Sequence, residues 1–179
     1  MALTVEGDVT VKVIDNSRIF KDVHPVNHWA QEFIDFVSSR ELFTGKTVDT
    51  FAPQDPTTRA QMMTVLARMD GVDTSEKPLQ QGMNWAVENG VSDGSNPNNA
   101  ITRQQLVAML YRYSGSPETN FELTQPDAGK VSDYAVDAMR WAVENGIIKG
   151  KTDGTLDPYG LATRAEVAAM MARYCNQEA

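Results

Sequence analysis

The sequence predicts an all-α fold of three helix–loop–helix repeats, because one helix-start motif occurs three times within its 179 residues. The copies are Thr58-Arg59-Ala60-Gln61, Thr102-Arg103-Gln104-Gln105 and Thr163-Arg164-Ala165-Glu166. A Thr at the N-cap with Gln or Glu three residues later forms a capping box, in which each side chain accepts a backbone N–H of the other residue. An apolar run ending near an arginine follows each copy, so each copy is predicted to begin a helix.

A second helix is predicted before each capping box. Segments 83–90 and 139–146 share the pattern Met-x-Trp-Ala-Val-Glu-Asn-Gly, and Asn-Gly supplies the left-handed residue that ends a helix. In the first repeat we expect a helix from about His28 to Ser39. Its apolar face would carry Trp29, Phe33, Phe36 and Val37. Arg40 and Glu41 stand where the other repeats have Asn-Gly, so this helix must end differently.

The spacing between the two helices supports three units of unequal loop length. The aromatic residue of the first helix precedes the motif arginine by 23 residues in the first and third units, but by only 18 in the second. The missing residues fall between Gly94 and Pro97. Self-similarity at a nearly constant period is typical of units that share one core. We therefore expect an N-terminal tail (1–18) and three repeats (19–73, 74–119 and 120–179).

The tail has a different pattern. Loosely alternating valines between Leu3 and Ile14 predict one or two strands, which could be the end of a preceding domain. The tail also lacks the charged and then apolar pattern of a signal peptide, so an export signal would lie outside this chain.

Composition excludes several classes of partner. A net charge of −8 and a pI near 4.7 argue against binding to nucleic acid or to an anionic membrane surface. No apolar run approaches the roughly 20 residues that span a bilayer. The single cysteine, Cys175, excludes a disulfide within one copy.

The arginine just inside each capping box is the unusual feature of the motif. A cation at a helix N-terminus is mildly unfavourable, because that end of the helix carries partial positive charge. Three such arginines in an acidic chain indicate that an anionic group meets them. The alternative is that each arginine pairs with a nearby carboxylate or reaches water.

The ordered set of motifs resembles the S-layer homology family over about residues 19 to 175. In the first repeat the pattern comprises Phe20-x-Asp22-Val23, Trp29-Ala30, Gly45, Phe51-x-Pro53 and the Thr58 capping box. In the third it comprises Asp127, Tyr134-Ala135, Gly146, Gly150, Asp153-Gly154-x-Leu156-x-Pro158 and the Thr163 capping box.

The resemblance implies a non-catalytic anchor within a larger surface protein, located at the cell wall or S-layer of a Gram-positive-type bacterium. It implies a three-pronged helical spindle with pseudo-threefold symmetry. Grooves between the prongs would bind a secondary cell-wall polysaccharide through pyruvylated N-acetylmannosamine. By the match to the family motif, Arg59, Arg103 and Arg164 would lie in those grooves. Arginine suits the carboxylate of a pyruvate ketal, and a helix N-terminus adds N–H groups that suit an anion.

The second repeat departs from the family pattern. Gly71 falls where the other repeats have Asp22 and Asp127, with Asp73 nearby, and the short loop lacks the apolar element of the longer loops. We therefore expect grooves around this repeat to be degenerate, and we do not expect three equivalent sites.

Other candidate residues have two interpretations. Trp85 and Trp141 occupy an apolar helix face and are predicted to lie in the core. Trp29, aligned with Tyr134, could pack at a helix end or contact a ligand. Asp22 and Asp127 precede turns: each could bond its own backbone, hold a motif arginine or contact a ligand. Gly45, Gly94 and Gly150 supply backbone freedom or allow close approach of a ligand.

No motif for catalysis, metal or cofactor is evident. His24 and His28 are four residues apart, but Pro25 interrupts any helix that would join them and no third ligand is apparent. The sequence thus predicts no enzyme, metal or cofactor. A protein–protein or peptidoglycan-binding scaffold, with the arginines on partner carboxylates, remains the alternative to polysaccharide binding.

Overall fold

A computed structural model describes residues 18–24 and 28–176, and that part of the chain is helical. Its α-helices are α1 (Gln31–Ser39), α2 (Arg59–Met69), α3 (Pro78–Glu88), α4 (Arg103–Tyr113), α5 (Val136–Glu144) and α6 (Arg164–Cys175). These residues form isolated β-bridges but no strands, which confirms the all-α prediction. The predicted strands between residues 3 and 14 lie outside the described residues. None of the described helices has the length and apolar character needed to cross a bilayer.

All three predicted capping boxes are present. Each N-cap threonine accepts the N–H of the third helical residue, and that residue's side chain accepts the threonine N–H. The second bond measures 2.9 Å from Thr58, 3.0 Å from Thr102 and 3.0 Å from Thr163. The local motif therefore sets where α2, α4 and α6 begin.

The first helix begins later than predicted. It starts at Gln31 because residues 28–30 form a turn, in which Nδ1 of His28 accepts the N–H of Ala30 over 3.2 Å. Trp29 consequently precedes the helix and is 58 % exposed, so the predicted apolar face was wrong at this position. The inward face carries Val37, as predicted, together with Ile34, which the prediction did not include.

The second helix of each repeat packs against the first helix of the next. The pairs are α2 with α3, α4 with α5, and α6 with α1. The last pair returns from the third repeat to the first, so the three pairs form a closed ring of prongs. Trp85 and Trp141 lie within these pairs, each only 7 % exposed, which confirms the core prediction.

A ring of three backbone hydrogen bonds closes the centre of the fold. Its members are the residues immediately before the capping threonines. Thr57 N–H donates to Ala162 O (3.0 Å), Ala162 N–H to Ile101 O (2.9 Å), and Ile101 N–H to Thr57 O (2.8 Å). Each repeat therefore gives one bond and receives one, which is the pseudo-threefold arrangement expected from the resemblance.

Candidate functional site

The starts of α2, α4 and α6 meet the loop of a neighbouring repeat. At α2, the N–H groups of Arg59 and Ala60 donate to the carbonyls of Asn99 and Pro97 over 3.0 and 2.9 Å. Equivalent bonds run from the start of α4 to the loop at 158–160 and from the start of α6 to the loop at 53–55. Because the capping threonine takes the third N–H, the expectation that these helix ends offer free N–H groups to an anion was wrong.

The side chain of each motif arginine donates a hydrogen bond to the loop of the next repeat around the ring. Arg59 Nε donates to Ser95 O over 2.8 Å, Arg103 Nε to Leu156 O over 2.8 Å, and Arg164 Nε to Phe51 O over 2.7 Å. Each arginine therefore binds the loop of a different repeat through its Nε. The Nη atoms of the three guanidinium groups have different surroundings.

Arg164 is a buried cation without an ion pair. Its Nη2 donates to Thr44 O over 2.7 Å, and its guanidinium lies 4.1 Å from the ring centroid of Phe43. Only 2 % of the residue is exposed. Burial lowers the pKa of Arg164 to about 10, against the opposing charges of Asp55 and Asp22. Among the described residues, no carboxylate lies within 4.0 Å of its guanidinium nitrogens.

Arg103 is equally buried but is neutralised internally. Its Nη1 lies 3.0 Å from Oε1 of Glu166, and the same oxygen lies 2.6 Å from Nζ of Lys151. Burial opposes ionisation of Glu166. This effect is outweighed by the hydrogen bonds from Lys151 and from the Thr163 N–H, together with the charge of Arg103. The pKa of Glu166 therefore lies below its ordinary value.

Arg59 is the most accessible of the three motif arginines. Its side chain is 12 % exposed, against 3 % for that of Arg103. Its Nη2 lies 3.0 Å from Oδ1 of Asp93, whose side chain is 70 % exposed. The backbone N–H and hydroxyl of Ser95 lower the pKa of Asp93, so this carboxylate is ionised at neutral pH. An ion pair this exposed contributes little stability and can exchange its partner.

A pocket of about 700 Å³ opens beside Arg59, and we call it the Arg59 groove. Its charged lining consists of Arg59, Arg112 and Asp93, and Tyr134 forms part of its wall. Neutral polar lining residues include Ser92, Ser95, Asn96, Asn99 and Gln105. The pocket thus combines two cations, one exposed carboxylate, an aromatic ring and many hydrogen-bonding groups.

The short loop of the second repeat forms part of the wall of this groove. In the longer loops Phe51 and Leu156 are fully buried. The second repeat lacks this element, and its loop instead turns tightly through Gly94 and Asn96, which have φ of +71° and +48°. We expected the short loop of the second repeat to make the adjacent groove degenerate, and this loop borders the open Arg59 groove.

Asp22 and Asp127 hold the loops of their own repeats. The Asp22 carboxylate accepts the N–H groups of Phe51 and Ala52 over 3.0 and 2.7 Å. The Asp127 carboxylate accepts those of Leu156 and Asp157 over 2.8 Å each. The simplest interpretation expected bonds to a local turn, but the backbone partners of both carboxylates in the described part of the chain lie 29 or 30 residues downstream.

Two structural constraints explain why glycine occupies the three candidate positions. Gly94 and Gly150 have φ of +71° and +79°, where a side chain would be strained. At Gly45 a Cβ would lie 2.5 Å from a ring carbon of Phe20, so close packing explains this residue.

Trp29 lies beside His28 and Phe33, at ring-centroid distances of 5.7 and 6.5 Å.

Sequence reasoning missed four residues around the motif arginines. Arg112 and Tyr134 line the Arg59 groove, while Asp93 and Glu166 carry the carboxylates that meet Arg59 and Arg103. Two signals could have identified some of them: Tyr134 aligns with Trp29, and Arg112 ends the apolar run after the second capping box. Within the described residues, no group of three or more His, Cys, Asp or Glu is arranged to hold a metal ion.

Comparison with known proteins identifies related segments in several bacterial proteins. The model of the S-layer homology domain family matches residues 19–63 and 126–168. The chain is 31 % identical over 175 residues to an endoglucanase of Bacillus sp. (strain KSM-635), covering 87 % of this chain and 18 % of that protein. It is 27 % identical over 180 residues to the exoglucanase XynX of Acetivibrio thermocellus, covering 89 % of this chain and 16 % of that protein.

A third relative carries a surface-layer name. The chain is 27 % identical over 201 residues to an S-layer protein of Bacillus thuringiensis subsp. finitimus, covering 99 % of this chain and 24 % of that protein. The chain thus spans less than a quarter of each of these three relatives. The family matches indicate a location at the bacterial cell wall or S-layer.

Proposed function

We propose that this chain is a non-catalytic module of three S-layer homology repeats that anchors a larger protein to the cell wall of a Gram-positive-type bacterium. Its ligand is an anionic secondary cell-wall polysaccharide, bound through the carboxylate of pyruvylated N-acetylmannosamine. The Arg59 groove is the principal site. This proposal includes residues 74–119 as a repeat, although that segment lies between the two regions matched by the family model.

The observation that carries the proposal is that Arg59 and Arg112 line the same open pocket of an acidic chain. A guanidinium group binds a carboxylate through two parallel, charge-assisted hydrogen bonds, which suits a ketal carboxylate. Tyr134 adds an aromatic face with a hydroxyl group, and such side chains combine apolar contact with hydrogen bonding. The amide and hydroxyl groups of the lining suit the hydroxyl groups of a sugar.

The relatives support a module rather than an enzyme. Nearly the whole chain aligns with proteins named as an endoglucanase, an exoglucanase and an S-layer protein, yet it covers only a small share of each. A segment shared by proteins with such different names is better explained by a common location than by a common reaction. The central ring supports the middle repeat, because Ile101 occupies in it the position that Thr57 and Ala162 occupy in the matched repeats.

Calorimetric titration with a pyruvylated N-acetylmannosamine glycoside tests the proposal, with the same sugar lacking the ketal as the comparison. We expect binding only when the ketal is present, and moderate weakening by added salt because ionic contacts are screened. Arg59→Lys keeps the charge but removes the planar fork, so it should weaken binding at least tenfold. Arg140→Lys, on an exposed face, is the matched control.

Sedimentation with cell walls separates this function from a scaffold function. Walls stripped of their polysaccharide should lose the protein. Retention on stripped walls, or equal binding of the two sugars, would overturn the proposal in favour of peptidoglycan or a protein partner.

A further inference from the structure

The third residue of the α6 capping box has a second role. One carboxylate oxygen of Glu166, Oε2, accepts the Thr163 N–H over 3.0 Å and completes the cap. The other oxygen, Oε1, receives Nη1 of Arg103 and Nζ of Lys151 over 3.0 and 2.6 Å. A single side chain therefore closes a helix start and supplies the carboxylate that neutralises the arginine of the preceding repeat.

The equivalent position beside Arg59 carries an amide. Gln105 completes its cap in the same way, with Oε1 accepting the Thr102 N–H over 3.0 Å, and it lines the Arg59 groove. The remaining polar atom of its side chain is a nitrogen, which donates hydrogen bonds and carries no charge. It cannot neutralise a guanidinium group as Glu166 does. Among the residues that the structure describes, the exposed Asp93 carboxylate is the one that pairs with Arg59.

We propose that this capping-box residue decides whether the arginine of the preceding repeat accepts an external anion. Gln105 leaves Arg59 available to a carboxylate ligand, whereas Glu166 occupies Arg103 as an internal carboxylate. The inference rests on the proposed function and adds to it the residue that selects the working groove. Glu166 and Gln105 act through the arginines and are positioning residues.

The charges around the two arginines agree with this assignment. The charged residues that line the Arg59 groove are two arginines and one aspartate, which leaves an excess of positive charge. Around Arg103, the second cation is Lys151, and its Nζ lies 4.0 Å from Oδ2 of Asp157 in addition to its bond with Glu166. The charges of Asp127 and Arg173 also interact with that of Arg103, so three cations there face three carboxylates and no excess remains for a further anion.

Reciprocal substitutions test the inference without removing a capping box, since either Glu or Gln completes the motif. Glu166→Gln should make Arg103 available, and Gln105→Glu should occupy Arg59. Glu122→Gln, which removes one negative charge at an exposed position, is the matched control for Glu166→Gln.

The readout is NMR of the side-chain Nε–H groups in ¹⁵N-arginine-labelled full chain, titrated with the pyruvylated glycoside and separately with sodium sulfate. In the parent protein the Arg59 signal should shift and the Arg103 signal should not. Glu166→Gln should bring the Arg103 signal into the titration, and Gln105→Glu should weaken the response of Arg59 at least tenfold. Asp93→Asn should strengthen that response severalfold, because it removes the carboxylate that pairs with Arg59.

The two probes separate failure of the inference from failure of the proposed function. If sulfate titrates Arg59 as described and the glycoside does not, the proposed ligand is wrong and the assignment of grooves stands. If the Arg103 signal already responds in the parent, or if Gln105→Glu and Asp93→Asn leave the Arg59 response unchanged, the inference is overturned whatever the glycoside does.

Discussion

Nε of Arg164 lies 2.7 Å from the carbonyl oxygen of Phe51, a residue 113 positions earlier in the chain. This bond and the one from Nη2 to Thr44 O connect the last helix to the loop of the first repeat. The resemblance assigned Arg164 to a ligand. Its contacts show a structural role, because the guanidinium group joins the third repeat to the loop of the first. If an Arg164 variant loses wall binding, its stability must also be measured, because unfolding alone would cause the same loss.

Arg164→Ala should destabilise the fold by about 2–4 kcal/mol. The substitution leaves two loop carbonyls without their charged donor and removes the cation from the rings of Phe43 and Phe51. Urea denaturation followed by circular dichroism measures the change. Arg140→Ala removes only an exposed pair with Asp137 and should cost less than about 1 kcal/mol. Equal effects of the two substitutions would contradict the structural role.

Asp127→Ala should cost about 2–3 kcal/mol, because the buried carboxylate accepts two backbone N–H groups of the third loop that would lose their acceptor. Asp127→Asn retains one acceptor oxygen and should cost less. Hydrogen exchange of the Leu156 and Asp157 amides tests the mechanism, since both should exchange faster in the Ala variant. Asp133→Ala, at an exposed position nearby, is the control and should leave both amides protected.

Glu166→Gln should make stability less dependent on acid pH. The pKa of Glu166 in the folded chain lies below its ordinary value of 4.5, so its ionised form stabilises the fold above that value. This contribution is lost as pH falls through the lower, folded-state pKa. At pH 7 the variant should be less stable than the parent by about 1–2 kcal/mol. The difference should shrink toward pH 2, and urea titrations at both pH values would reveal a constant gap if the prediction is wrong.

Trp141 and Trp29 should respond differently to truncation. Trp141→Ala removes a buried ring that packs against Tyr111 and Tyr174, and should cost about 3–5 kcal/mol. Trp29→Ala removes an exposed ring and should change stability by less than about 1 kcal/mol. Acrylamide quenching gives an independent check, because only Trp29 fluorescence should be strongly quenched in the folded protein.

Much of the local structure could be predicted from the sequence. The capping boxes, the helices after them and the buried Trp85 and Trp141 are all as predicted. These features depend on hydrogen bonds between residues three apart and on apolar residues that recur along one helix face. The start of α1 could not be located in this way, because the side chain of His28 bonds the backbone and forms a turn where a helical pattern was also possible.

The sequence by itself determined three helix starts and the arginine placed at each start, since short-range hydrogen bonds and apolar periodicity need no distant partner. Only the tertiary structure decided what each arginine meets. Arg59 reaches an exposed carboxylate, Arg103 a half-buried one, and Arg164 backbone carbonyls and aromatic rings. The physical reason is ring closure: the groups around each arginine belong to a different repeat, so similar local motifs acquire different electrostatic surroundings.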